Sequence, residues 1–162
     1  MVSSFVSILT VAATLSCAAL SADAHQIVLQ PEPQWTTDNK DTKYNPLAFL
    51  EGQGFQTQAD FNAWQTLRDF MDKAKYTVIE GADYFCGWAD PKGTPQPIPA
   101  GGVMRSTGYT HDGPCEVWLD EKKGGCVLHW YWLGVRFLKN SYSWQVYKEC
   151  IPLVTTPKRL RV

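Results

Sequence analysis

Three runs dense in Val, Trp, Tyr and Leu close the chain, at Glu116–Asp120, Cys126–Phe137 and Ser143–Pro152, and they narrow its folds more than any other feature. β-Branched and aromatic side chains suit a pleated, half-buried surface, so each run reads as a strand. Glu-Lys-Lys-Gly-Gly and Leu-Lys-Asn-Ser-Tyr separate them as turns. His-Gln-Ile-Val-Leu at 25–29 can start an earlier strand, ended by Pro31 and Pro33, and 75–86 alternates weakly as another. Residues 34–56 read as a long ordered loop, and prolines 91, 95, 97 and 99 rule out regular structure over 87–102. Phe61, Trp64, Leu67, Phe70, Met71 and Ala74 recur at helical spacing behind a Thr57 cap, which predicts one amphipathic helix over about 58–74. The fold class expected is mostly β: a small antiparallel β-sandwich of the immunoglobulin or fibronectin-III kind, with long loops and that single helix.

The N-terminal stretch is of a different kind. Residues 2–20 are apolar or small and uncharged, and Ala22-Asp23-Ala24 has the small-x-small pattern of a signal-peptidase site. The expectation is a signal peptide over 1–24, export to the extracellular space, and a mature chain starting at His25. Residues 25–152 then form one catalytic domain and 153–162 a basic C-terminal tail. The leader holds one charge, Asp23, so 25–162 carries 15 basic and 15 acidic residues. Zero formal charge argues against nucleic-acid or general membrane-surface partners.

Cys17 leaves with the leader, and Cys86, Cys115, Cys126 and Cys150 remain. Four cysteines in an exported chain read as two disulfides, with three possible pairings. Cys115–Cys126 is preferred because the pair flanks a probable hairpin. Cys86–Cys150 then ties a long loop to the last strand.

The chemistry lies in three histidines, His25, His111 and His129, and one tyrosine. An N-terminal histidine offers its α-amine and ring Nδ1 to one metal, and the amine, with a pKa of about 7.7–8.0, yields its proton readily. A second imidazole opposite completes a planar set of three nitrogens, which suits Cu(II). Thr107–Asp120 (TGYTHDGPCEVWLD) resembles the segment of lytic polysaccharide monooxygenases that carries their second copper histidine. Ser143–Pro152 (SWQVYKECIP) resembles their closing strand, in which Gln-x-Tyr-x-x-Cys supplies a Gln beside the metal, an axial Tyr and a disulfide Cys. HQIVLQPEPQW, THDGPCEVWLD and LHWYWLGV are most similar to the pectin-active auxiliary-activity family seventeen.

The resemblance implies one mononuclear copper per chain, held by His25 and His111 with Tyr147 axial and Gln145 alongside. Tyr147 and Gln145 are two apart and share a strand face, as this requires. From the strand 126–137 it implies a side chain beside the copper, Arg136 ahead of His129, while Glu116 and Asp112 are further acids nearby. The implied reaction is oxidative cleavage of a polysaccharide, homogalacturonan at C4, with O2 or hydrogen peroxide, by a monomer served by an external electron donor. For sugar contact, Tyr109, Tyr44 and Trp35 offer rings, and Arg105, Lys122, Lys123, Lys139 and Lys148 offer cations. Three alternatives stay open: a histidine-brace protein that binds copper without catalysis, a chitin- or cellulose-active relative, and a metal-free disulfide-stapled binding module. His111 on a turn, Tyr147 in a strand and His129 between Leu128 and Trp130 each have ordinary structural readings as well. No paired carboxylates or Ser-His-Asp order suggest hydrolysis.

Overall fold

A computed structural model describes residues 25–108, 111–122, 125–138 and 140–154. The expected leader, Tyr109, Lys123, Lys139 and residues 155–162 lie outside the described residues. In chain order the elements are β1 (Val28–Gln30), β2 (Ala48–Phe49), α1 (Ala59–Asn62), α2 (Leu67–Lys73), β3 (Gln96–Pro97), β4 (Arg105–Ser106), β5 (Cys115–Lys122), β6 (Gly125–Leu138) and β7 (Ser141–Val154).

The expected mostly-β, antiparallel sandwich is what forms. The large layer runs β2-β7-β6-β5, and β3 adds to β7 in a parallel pairing. The small layer is the antiparallel pair β1–β4. Period-2 alternation divides β6 and β7 cleanly between two faces. On one face Leu128, Trp130, Trp132, Tyr147, Ile151 and Leu153 bury against Val28 and Met104. On the other, Tyr131, Leu133, Trp144 and Val146 bury against Leu47, Leu50 and the α2 residues Leu67, Phe70 and Met71.

The single helix expected over 58–74 is instead two short ones. Thr66 is extended (φ −133°, ψ 158°) and its side chain accepts the Asp69 N–H, so it caps a new helix in the middle of the apolar repeat. Glu116 on β5 reinforces the break by accepting the Leu67 N–H at 2.8 Å and the Arg68 N–H at 3.2 Å. The apolar stripe survives because the break lets the Phe61 ring meet both Phe70 (4.9 Å) and Trp144 (4.4 Å). Partial burial works against the Glu116 charge, but these two amides and the Trp118 indole outweigh it and hold the carboxyl below its ordinary value near 4.5. The unfolded chain therefore binds the proton first on acidification. The cap's contribution is complete above about pH 4.5 and is lost as the pH falls through the folded value. Glu116→Gln is expected to cost about 1 kcal/mol in urea unfolding at pH 7, with the difference from the parent shrinking once the pH is taken below 4.5. An equal difference above and below that pH would refute the assignment.

The strand expected over 75–86 does not form; that stretch holds turns and one isolated bridge, Asp83 to Gly87. The Gln53 side-chain amide takes the place of a partner, donating to the Thr77 carbonyl and accepting its N–H. The Ile79 N–H goes to the Leu47 carbonyl at 2.7 Å.

Cys86 and Cys150 are joined as expected, across 64 positions of chain. No bond joins Cys115 to Cys126. The hairpin reading fails on register: Cys115 stands opposite Trp132, whereas Cys126 stands opposite Glu121. Six rungs at about 3.4 Å separate them along the strands, against the roughly 7 Å between Cα atoms that a disulfide can span. Residues that flank a long hairpin are not residues that face each other across it. Removing the Cys86–Cys150 bridge with Cys86→Ser and Cys150→Ser together is expected to cost about 2–4 kcal/mol, read as a lower urea midpoint at unchanged slope; an unchanged midpoint would contradict this.

Candidate metal centre

The residues before β1 lie across the face that carries Tyr147. The Ile27 N–H donates to Thr107 Oγ1 at 3.1 Å, and the Thr107 N–H returns to the Ile27 carbonyl at 3.0 Å. The Val28 N–H donates to both carboxyl oxygens of Glu149, at 3.1 and 3.2 Å. These contacts leave His25 half-buried, its ring centroid 6.3 Å from that of Tyr147.

His111 reaches the same face from the opposite edge of β6. Asp112 bridges Val135, whose N–H donates to the Asp112 carbonyl at 2.7 Å, and the Leu133 N–H donates to the Pro114 carbonyl at 3.1 Å. Gly113 between them has φ +141°, and a Cβ there would sit 1.8 Å from the Leu133 oxygen, so only glycine permits the approach. The His111 ring lies nearly parallel to Trp132, centroids 6.1 Å apart. Trp132 in turn stacks on Tyr147 at 4.6 Å, as cross-strand neighbours in register. Gly134 makes room for that stack, since a Cβ would fall 3.3 Å from both rings. Each imidazole thus borders one ring of a buried Trp–Tyr pair.

Gln145 and Tyr147 share the face, as their spacing requires, and the Tyr147 hydroxyl donates to Gln145 Oε1 at 2.7 Å. Burial pushes the phenol above its ordinary value, so it stays protonated at neutral pH. Arg136 is exposed on the same face, two positions beyond Gly134.

Several expected members lie elsewhere. His129 is on the opposite face, where its Nε2 lies 3.4 Å from Asp120 and its Nδ1 lies 3.4 Å from the Cys150 sulfur. The cause is parity: positions 129 and 132 of one strand face opposite ways. Burial there depresses the imidazole, with Asp120 opposing. Lys148 is also on that face with a fully buried side chain, which removes it as a cation for a polyanionic glycan. Glu116 is committed to capping α2. Trp35 and Tyr44 share the ammonium of Lys43, at 5.3 and 5.4 Å from their ring centres, and Trp35 and Lys43 stay near the site, lining one small cavity with Gln26 and Tyr147. Arg105 is exposed at the end of the β1–β4 pair away from His25, opposite Gln30.

Trp132, Gly134, Glu149 and Thr107 contribute to the site without having been singled out. Pairing the two long strands about their turn would have found the first three, since it sets Trp132 opposite Tyr147, Gly134 opposite Gln145 and Trp130 opposite Glu149. Thr107 carries no such sequence signal.

Among the described residues no cluster of three or more His, Cys, Asp or Glu forms a metal site by itself. The donor set at the Trp132–Tyr147 pair reaches three nitrogens only with an α-amine at residue 25. Comparison with protein-family models and with curated proteins gives no match for this chain.

Proposed function

We propose that the chain, cut after Ala24, is a secreted copper-dependent lytic polysaccharide monooxygenase acting on homogalacturonan at C4. The observation that carries the reading is the sorting of three histidines. His25 and His111, about 85 positions apart in sequence, border one stacked Trp–Tyr pair, while His129 sits on the other face. Two imidazoles plus a terminal amine fit a nitrogen-bound copper, as does the absence of any thiolate or carboxylate among these donors.

His25 would hold the metal through its α-amine and Nδ1, and His111 through one ring nitrogen. Tyr147 would offer its phenol oxygen beside them. Copper held there would supply oxidation of a glycan C–H bond beside the glycosidic linkage, with O2 or hydrogen peroxide as the oxidant and an external donor for the reducing electrons. The protein's part is to hold rigid donors and to keep the phenol neutral. Gln145 accepts the Tyr147 proton and so fixes which way the phenol oxygen's lone pairs turn. Arg136 adds an exposed guanidinium on the same face, suited to a carboxylate-bearing sugar or an anionic oxygen group.

The test uses chain beginning at residue 25, copper-loaded, with ascorbate and homogalacturonan, products read by mass spectrometry against metal-free protein. Copper-dependent oxidised oligogalacturonides are expected. Oxidised products from chitin or cellulose alone would move the substrate, and tight copper binding without oxidised glycan would indicate a copper-binding protein without this activity. Failure to bind copper would overturn the proposal.

A further inference from the structure

Glu149 has no part in the donor set above, yet it is buried, and Lys43, which lines the same small cavity, makes no ion pair with it among the described residues. It projects from β7 on the Tyr147 face, opposite Trp130 in the ladder. Both its oxygens accept one N–H, that of Val28, from the layer that lies over it. Burial of a carboxyl is costly, and residues that only fill space are apolar. A single-point contact from one layer of a sandwich to the backbone of the other does something an apolar side chain cannot: it fixes where that backbone lies.

The backbone it fixes is the arm that ends at His25. Val28 itself is fully buried, and it is the first residue of β1. One residue earlier, Thr107 closes a reciprocal pair of hydrogen bonds with Ile27, through its hydroxyl and its own N–H. Strand β1 is only three residues long and its pairing to β4 is irregular between Val28 and Gln30, so ladder bonds alone would hold this segment loosely. Glu149 and Thr107 therefore supply side-chain acceptors for two successive N–H groups, immediately before and at the start of that short strand.

We propose that Glu149 and Thr107 are positioning residues that clamp residues 27–28 and thereby set the place and orientation of His25 relative to His111. This rests on the copper reading for its purpose but not for its geometry. The clamp's hydrogen bonds involve no metal donor, and it acts on His25 through the backbone.

Three variants separate the parts. Thr107→Val keeps shape and removes the hydroxyl acceptor. Glu149→Gln keeps one carbonyl-type oxygen for the Val28 N–H, and Glu149→Ala keeps none. In metal-free protein starting at residue 25, amide hydrogen exchange at Ile27 and Val28 is expected to be faster in Thr107→Val and Glu149→Ala and near the parent rate in Glu149→Gln. Copper(II) titration is expected to show a roughly 10–100-fold loss of affinity for the first two, the size found when outer contacts of metal ligands are removed, and rescue in Glu149→Gln. The copper(II) electron paramagnetic resonance hyperfine splitting should shift in the first two and not in the third, which a merely destabilised fold would not produce. If Glu149→Ala does not fold, Thr107→Val against Glu149→Gln carries the same comparison. Parent-like exchange at Ile27 and Val28 in Thr107→Val and Glu149→Ala would overturn the clamp. Faster exchange with unchanged copper affinity and spectrum would overturn its role in placing His25. A parent protein that shows the protected amides but binds no copper would instead sink the metal reading and leave the clamp as an ordering device for the arm.

Discussion

His25→Ala, in a chain that begins at residue 25, is expected to bind copper(II) at least about 100-fold more weakly than the parent, a loss of roughly 3 kcal/mol or more. The substitution leaves the α-amine but removes the imidazole that makes the amine part of a chelate, and it leaves His111 as a lone ring. Adding one residue ahead of His25 should have a similar effect by the opposite route, since the imidazole stays while the amine moves away. His129→Gln serves as the control, because its ring is on the other face of the sheet and contacts Asp120 and the Cys150 sulfur. Competition titration against a chelator of known affinity measures all four proteins. Parent-like affinity in His25→Ala, or a loss in His129→Gln equal to that in His25→Ala, would refute the assignment of the donors.

Lys148→Ala is expected to be the most damaging single change to stability away from the glycines, at about 3–5 kcal/mol. Its ammonium donates to the Asp72 carboxylate at 2.6 Å and to the Met71 carbonyl at 3.0 Å, and lies 4.8 Å from the centre of the Tyr84 ring. The Met71 carbonyl belongs to the last turn of α2, where a cation is favoured by the helix dipole. Asp72 also accepts the Tyr131 hydroxyl at 3.0 Å, so the pair joins α2 to both long strands. Burial pushes the Lys148 amine below its ordinary value, and Asp72 opposes that shift. Alanine takes the buried cation from the half-buried Asp72 carboxylate, which keeps the Tyr131 hydroxyl and Arg68 at 3.7 Å, and leaves the Met71 carbonyl without its donor. Lys148→Met with Asp72→Leu removes both charges together and should cost far less than the sum of the single changes, because neither group is then left unpaired. Urea unfolding of the singles and the double measures this. A loss under about 1 kcal/mol for Lys148→Ala would show the pair to be solvent-screened like a surface one.

How much of this was legible beforehand depends on the range of the interaction concerned. The strands β5, β6 and β7 follow from composition and turns, because pleated half-buried backbone selects β-branched and aromatic residues locally. Their alternation also assigns Gln145 and Tyr147 to one face. The apolar repeat over 61–74 correctly marks residues that bury against the sheet, but it cannot show that Thr66 caps a second helix, since that break is stabilised by Glu116 from a strand nearly fifty positions away. Residues 75–86 looked like a strand and form none; Thr77 is held instead by a side-chain amide from Gln53, which no local pattern announces.

The candidate site divides along the same line. His25 and His111 are candidates on sequence alone, because a cleavage-like pattern and a Gly-Pro turn are local signals. The Cys86–Cys150 pairing was reachable as well, whereas Cys115–Cys126 was not a possible bond once the hairpin register was known. The three histidines look alike as letters. Only the tertiary structure could sort them, because the face on which a strand residue emerges depends on the pairing register of β6 with β5 and β7, and one step of register exchanges the faces. The same holds for Glu149, whose partner is a backbone N–H more than a hundred positions away. Sequence by itself determined which segments extend and which side chains have the chemistry to bind metal; packing one layer on the other decided which of them meet, since that depends on contacts between residues the chain holds far apart.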